Sequence, residues 1–322
     1  MTTTPMTTTT PPTVTTPTTQ SWLLRDDAPV SSPRVPPGVE YHRVYAGQKR
    51  RILRGVLTIV LLFVGLVAFA RLALLGAGLI DAQLGRTGAS PLQHAAGAVG
   101  LAALIPYSML LQRLLYGLPA GSLHSVTGRF RLAVLARSLL LFGPLLVILI
   151  AVNFLVPGER VPWTTADLVA LFVTGVLLTP LAAAGEEYGL RGLMFRVLGG
   201  WTRGARSGAV LGIVVTTVLF SLAHGTLDPY LLSSYLILFS VMAFVTWRTG
   251  GLEVAVVLHV VYNVTTLVLA TTLHIDLLGA LAGRGEAVGS PASLIPGAGL
   301  VLIAAVVWWT TRTSGPARTP AA

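Results

Sequence analysis

Eight apolar runs, each about as long as a bilayer is thick, decide what this chain can fold into. They recur at roughly 52–80, 92–112, 132–156, 167–195, 207–224, 230–247, 252–271 and 294–311, and each is compatible with the ~20 residues that a helical span needs. Lipid offers an exposed backbone no hydrogen bonds, so only helices and closed barrels cross it. The runs lack the apolar–polar alternation of barrel strands. The expected fold class is therefore all-α, a polytopic membrane bundle of about eight transmembrane helices. A composition that is 53% hydrophobic and 11% charged agrees with that class better than with a soluble globule.

A net charge of +10 raises the question of nucleic acid, and the placement of the cations answers it. With eight spans and both termini on one side, that side holds Arg25, Arg34, Arg43, Lys49, Arg50, Arg51, Arg54, Arg113, Arg129, Arg131, Arg137, Arg196, Arg203, Arg206, Arg248, Arg312 and Arg318. The other side holds only Arg86, Arg160 and Arg284, while Arg71 and Arg191 fall inside or near spans. The positive-inside rule then puts both termini in the cytoplasm and makes the chain an integral protein of the cell membrane, with the lipid bilayer rather than nucleic acid as its surroundings.

Residues 1–48 open with MTTTPMTTTTPPTVTTPTTQ. A polar, Pro-rich composition buries too little apolar surface to offset its ordering entropy, so this segment is expected to be a disordered Thr/Pro-rich cytoplasmic tail. It also lacks the apolar core of a cleavable signal. Residues 49–311 are read as the transmembrane bundle and 312–322 as a short cytoplasmic tail. The absence of cysteine excludes a thiolate nucleophile, disulfides and Cys-ligated metal.

Chemistry must then come from the polar residues within the apolar runs. Glu186, Glu187 and Arg191 lie in the fourth run, His224 ends the fifth, and His259 and Asn263 lie in the seventh. Ionisable residues in a membrane are rare and commonly face the bundle interior or a watery cavity. Glu187 and Arg191 are four apart with the acid first, the favourable order for an ion pair on one helical face. Glu186 is rotated about 100° from Glu187, so a cavity-facing carboxylate that accepts a proton, as a general base must, is expected there. Phe220 and His224 share a face at the same offset, so the ring limits the imidazole's rotamers. His259 and Asn263 share a face too, pairing an imidazole with a neutral donor suited to an oxyanion. Each feature also has an ordinary structural explanation: a bracing ion pair for Glu187 with Arg191, and interhelical hydrogen bonds for the histidines. The other histidines, His42, His94, His124 and His274, are expected on solvated surface.

Three motifs stand in order here, EExxxR at Glu186 to Arg191, FxxxH at Phe220 to His224 and HxxxN at His259 to Asn263. In this the chain resembles the CPBP intramembrane protease family, which includes type II CAAX prenyl endopeptidases and bacterial lysostaphin-resistance and bacteriocin-processing or immunity proteins. The resemblance covers roughly 167–270 as a catalytic core. It implies an intramembrane endopeptidase acting on a membrane-associated peptide or protein. Glu186 would activate water with help from His224, His259 and Asn263 would stabilise the oxyanion, and Glu187, Arg191 and Phe220 would support the site. No cofactor is required for those roles. Zinc is the alternative, with Glu186, His224 and His259 as a three-ligand set.

Two other classes compete. One is a catalytically silent scaffold or immunity protein of the same fold. The other is a transporter or haem carrier with His224 and His259 as axial ligands. Depth also poses a problem: a straight helix from Ser207 carries His224 about 25 Å up, whereas His259 is only about 12 Å from Gly251. A tilt, a deeper start or a break near Gly199-Gly200 is needed for the two to meet.

Overall fold

The computed structural model describes residues 21–26, 34–155, 160–276, 278–279, 283 and 285–321. Within these, helices make up the bundle and no strand occurs, only isolated bridges. Eight helical stretches are long and apolar enough to cross a membrane, in the eight places the apolar runs predict.

In chain order, the helices are α1 (Arg51–Gln83), α2 (Pro91–Ala102), α3 (Leu104–Tyr116), α4 (Leu132–Asn153), α5 (Thr165–Glu187), α6 (Phe195–Trp201), α7 (Ala205–Ala223), α8 (Pro229–Thr249), α9 (Glu253–Thr272) and α10 (Ile295–Thr311). The second span is α2 with α3, and the fourth runs from α5 through a π-helical segment, Tyr188–Met194, into α6. Start signals are local. Ser90 and Thr164 accept backbone N–H bonds at the starts of α2 and α5, and Asp228 does so at the start of α8, satisfying donors that a helix N-terminus leaves open.

Helix α9 is the axis of the bundle. It packs against α5, α4 and α8 and is the most enclosed span, whereas α1 is the least. Its first seven residues, Glu253 to His259, are all buried, as a helix without a polar face must be. Helix α5 comes close to the α2 backbone because Gly185 has no side chain: a Cβ there would stand 2.0 Å from the Leu101 carbonyl oxygen. That seam sets the depth of the residue that follows, Glu186.

The base of the bundle is tied by buried charge. Arg131, just before α4, makes a two-pronged contact with Glu253 at the start of α9, Nε to Oε1 at 2.9 Å and Nη2 to Oε2 at 2.7 Å, and neither side chain is exposed by more than 1%. The Arg131 backbone N–H also donates to Glu253, and Nη2 donates to the Thr249 carbonyl. An acid in the first turn of α9 also suits the helix dipole. In α6, Arg196 stacks 4.0 Å over the Tyr41 ring and donates to the Ser122 carbonyl and to Gln112.

The expected disordered tail differs from what the fold shows. Residues 1–20 and 27–33 lie outside the described residues, but 21–26 and 34–48 are packed against the bundle. Leu23, Leu24, Tyr41, Val44 and Tyr45 are buried, Tyr45 stacked on Tyr116. Arg43 donates to the Gly199 and Thr202 carbonyls, capping the end of α6. The far tail joins in: Thr319 exchanges backbone hydrogen bonds with Gly38 and Val39, and Glu40 bridges Arg318. The two terminal segments therefore meet at one end of the bundle. The cause is five apolar anchors, which an average over the Thr/Pro tract conceals. His42 is correspondingly buried rather than solvated, its Nε2 donating to the Ala205 carbonyl at 2.8 Å. His124, half-buried, is hydrogen-bonded to the Tyr188 hydroxyl, and His94 is half-buried too. His274 is exposed, as expected; Arg284 lies outside the described residues.

Two outcomes follow for stability. Glu253→Gln strands the Arg131 charge inside the protein and should cost about 3–5 kcal/mol, read as a lower thermal midpoint of the detergent-solubilised protein. Burial holds the His42 pKa below its ordinary value of 6.5, against the opposite pulls of the Ala205 carbonyl and Glu40. The imidazole is thus packed neutral. The unfolded chain takes up its proton first as pH falls, so this contribution is complete above about pH 6.5 and is lost below it. Between pH 7.5 and 5.5 the thermal midpoint of the wild type should drop further than that of His42→Gln.

Candidate active site

The three sequence motifs reach the site on three helical elements around α9. The first element holds a departure from α-helix. Residues Tyr188–Met194 form a π-helix, all seven of them buried, in which the Phe195 N–H donates to the Leu190 carbonyl five residues back. Segments of this kind are uncommon and concentrate at functional sites. Gly189 and Gly192 pack against Leu62 and Leu123, so the widened turn fits between its neighbours.

Immediately before it, Glu187 is fully buried and held from two sides. Arg191 Nη1 donates to its Oε1 at 3.1 Å, and His259 Nδ1 donates to the same oxygen at 2.8 Å. The expected ion pair is therefore present, and it has a second member that spacing along one helix does not reveal. His259 Nε2 stands 3.4 Å from Glu186 Oε2. Two facing lone pairs repel, so that contact needs a proton on one of the two atoms. Glu186 is the more open acid, its side chain 15% exposed against 0% for Glu187. The imidazole of His259 thus lies between two carboxylates, one sealed and neutralised by Arg191 and one facing outward.

His224 closes α7. Its Nδ1 lies 2.7 Å from the Phe220 carbonyl oxygen, which can only accept, so Nδ1 carries the proton and, in the neutral ring, Nε2 carries the lone pair. Phe220 meets the ring edge-on at 4.8 Å, and Tyr235 and Phe239 of α8 close on it at 4.5 and 5.0 Å. Asn263 is half-buried, one turn beyond His259 on α9, and makes no hydrogen bond among the described residues.

Arg191 has no contact with water. Besides Glu187 it donates through Nη2 to the Phe239 carbonyl at 3.3 Å, and its Nε is buried without a hydrogen-bond partner. The rings of Phe220 and Phe239 lie 5.0 Å from its guanidinium carbon. Desolvated cation–π contacts are worth about 2 kcal/mol, so the rings offset part of the cost of burying this charge.

The depth problem is settled by Phe239. Its ring is 5.0 Å from that of His224 and 6.5 Å from that of His259, so one side chain of α8 reaches both imidazoles. The chain does break close to Gly199-Gly200: α6 ends at Trp201, and three non-helical residues, 202–204, precede the start of α7 at Ala205. Phe239 and Tyr235 carry no polar mark in the sequence, and the π-helix is announced only by two glycines around Arg191. Metal ligation finds partial support in the donors. His259 and Glu186 adjoin and Glu187 orients the imidazole, but no group of three His, Asp or Glu side chains among the described residues converges as zinc requires.

No curated protein and no solved structure matches the chain. Residues 166–265, which hold Glu186, Glu187, Arg191, Phe220, His224, His259 and Asn263, match the model of the family described as Type II CAAX prenyl endopeptidase Rce1-like. That stretch is therefore similar to the type II CAAX prenyl endopeptidases of the CPBP group.

Proposed function

We propose that the chain is an intramembrane endopeptidase that hydrolyses a peptide bond with water activated by Glu186. The observation that carries this reading is the imidazole of His259 held between Glu186 and Glu187, with Arg191 neutralising the sealed acid. Glu186 takes a proton from the attacking water, and the resulting hydroxide adds to the substrate carbonyl. The Asn263 amide, with His259, donates to the oxyanion that develops. The proton held by the Glu186–His259 pair then passes to the leaving amine. His224, its tautomer fixed by the Phe220 carbonyl, presents Nε2 to assist at the water. Glu187 and Arg191 hold His259 in place and take no proton.

The substrate in this reading is a membrane-tethered peptide or protein tail, with a prenylated C-terminal tail or a bacteriocin precursor as the candidates that the family description and the motif resemblance offer. The site lies in the cell membrane with both termini cytoplasmic.

Removing the general base should lower kcat about 10²–10⁴-fold. Glu186→Gln should therefore end the appearance of new protein termini in membranes carrying the wild type, with insertion and thermal midpoint unchanged. A variant that still cleaves overturns the general-base role, and one that performs the cellular function without cleaving favours a silent scaffold. Asn263→Ala should lower kcat about 10²–10³-fold at similar KM, the loss expected for one oxyanion donor. Treatment with a strong zinc chelator should leave peptide cleavage intact; a loss restored by added zinc would reinstate the metal.

A further inference from the structure

We infer that Phe239 is a positioning residue for this site, the side chain that holds the three motif-bearing elements in mutual register. It belongs to none of the three motifs, sits midway along α8 and is 1% exposed. Its ring touches a group from each of them. Arg191 follows α5, with its guanidinium carbon at 5.0 Å; Phe220 and His224 belong to α7, at 4.2 and 5.0 Å; His259 belongs to α9, at 6.5 Å. Its carbonyl accepts from Arg191 Nη2, so backbone and ring of one residue grip the same guanidinium.

The aromatic character matters because the neighbours have different needs. The negative face of a benzene ring attracts a desolvated cation, and its flat surface also packs against an imidazole. Leucine supplies the apolar volume and neither property. Without the ring, Arg191 keeps Glu187, the backbone carbonyl of residue 239 and one aromatic face, from Phe220. Movement of Arg191 then passes to Glu187, whose oxygen it shares with His259 Nδ1. On the other side His224 loses the wall facing it from α8. One turn earlier, Tyr235 stacks parallel to Phe239 at 5.8 Å and meets His224 at 4.5 Å, so the aromatic surface continues along one face of α8.

The catalytic half of this inference rests on the protease reading, so its test has an arm that does not. In full-length protein in nanodiscs, Phe239→Leu should lower kcat for peptide cleavage about 10- to 100-fold with KM within about twofold, by loss of geometry at the reacting groups. Phe142→Leu, an equally buried phenylalanine of α4 outside the site, is the control for core volume and should leave kcat near wild type. Replacing Phe239 with di- and trifluorinated phenylalanine keeps shape and apolarity while draining the ring face, and kcat should fall stepwise along that series. Independently of any cleavage, the side-chain ¹⁵N signals of His224 and His259 should both move in Phe239→Leu and stay in place in Phe142→Leu. Positioning is overturned if the two leucine variants behave alike in kcat and in the histidine signals. If the wild type cleaves nothing, the protease reading fails, and the histidine signals alone decide for or against Phe239.

Discussion

A single buried carboxylate organises this protein. Glu187 is cut off from water, and its charge is tolerable only because one guanidinium and one imidazole share its oxygen. A carboxylate so placed cannot relax alone, because losing Arg191 leaves an unbalanced charge in a low-dielectric interior and losing His259 leaves a buried acceptor one donor short. Its neighbours inherit the restriction. Arg191 is kept beside it by two aromatic faces and a carbonyl, and His259 cannot rotate without breaking the 2.8 Å bond. The outward acid, Glu186, is therefore presented against a ring whose orientation has already been decided.

The base of the bundle repeats that logic for a different end. Arg131 with Glu253, and Arg196 with Tyr41, Ser122 and Gln112, are buried cations given carboxylate, carbonyl or ring partners. They fasten the starts of α4 and α9 and the end of the fourth span. His259 stands six residues, about 9 Å, along α9 from Glu253, so the ion pair at the base bears on the height of the imidazole. Van der Waals packing between helices contributes the rest, most visibly where Gly185 admits the Leu101 backbone.

The eight spans are legible as apolar runs because the bilayer imposes a length that no loop composition imitates, and each run has its helix. The Glu187–Arg191 pair is legible too, since its spacing lies on one helix. What escapes is everything decided across helices. Which acid meets His259 depends on how α5 and α9 pack, and nothing in the chain order of Glu187 and His259 indicates it. Phe239 is hidden among apolar neighbours, where a ring that orients a cation and a ring that merely fills space are spelled alike. The terminal segments escape for another reason: Leu23, Tyr41 and Tyr45 are sparse anchors in a polar region, and sparse anchors suffice when a finished bundle already offers receiving surface.

The π-helical turn gives the fourth span a mechanical property of its own. Tyr188–Met194 joins two α-helical rods that are held separately on either side of it, one by the α2 backbone at Gly185 and the other by the Arg196 contacts in α6. Such a joint works like a shim in a shaft. Its length in residues, more than the identity of its side chains, sets the angle between the acids above it and the anchor below. A register of one residue, about 100° of turn, separates a pair of glutamates aimed at His259 from the same pair aimed into lipid.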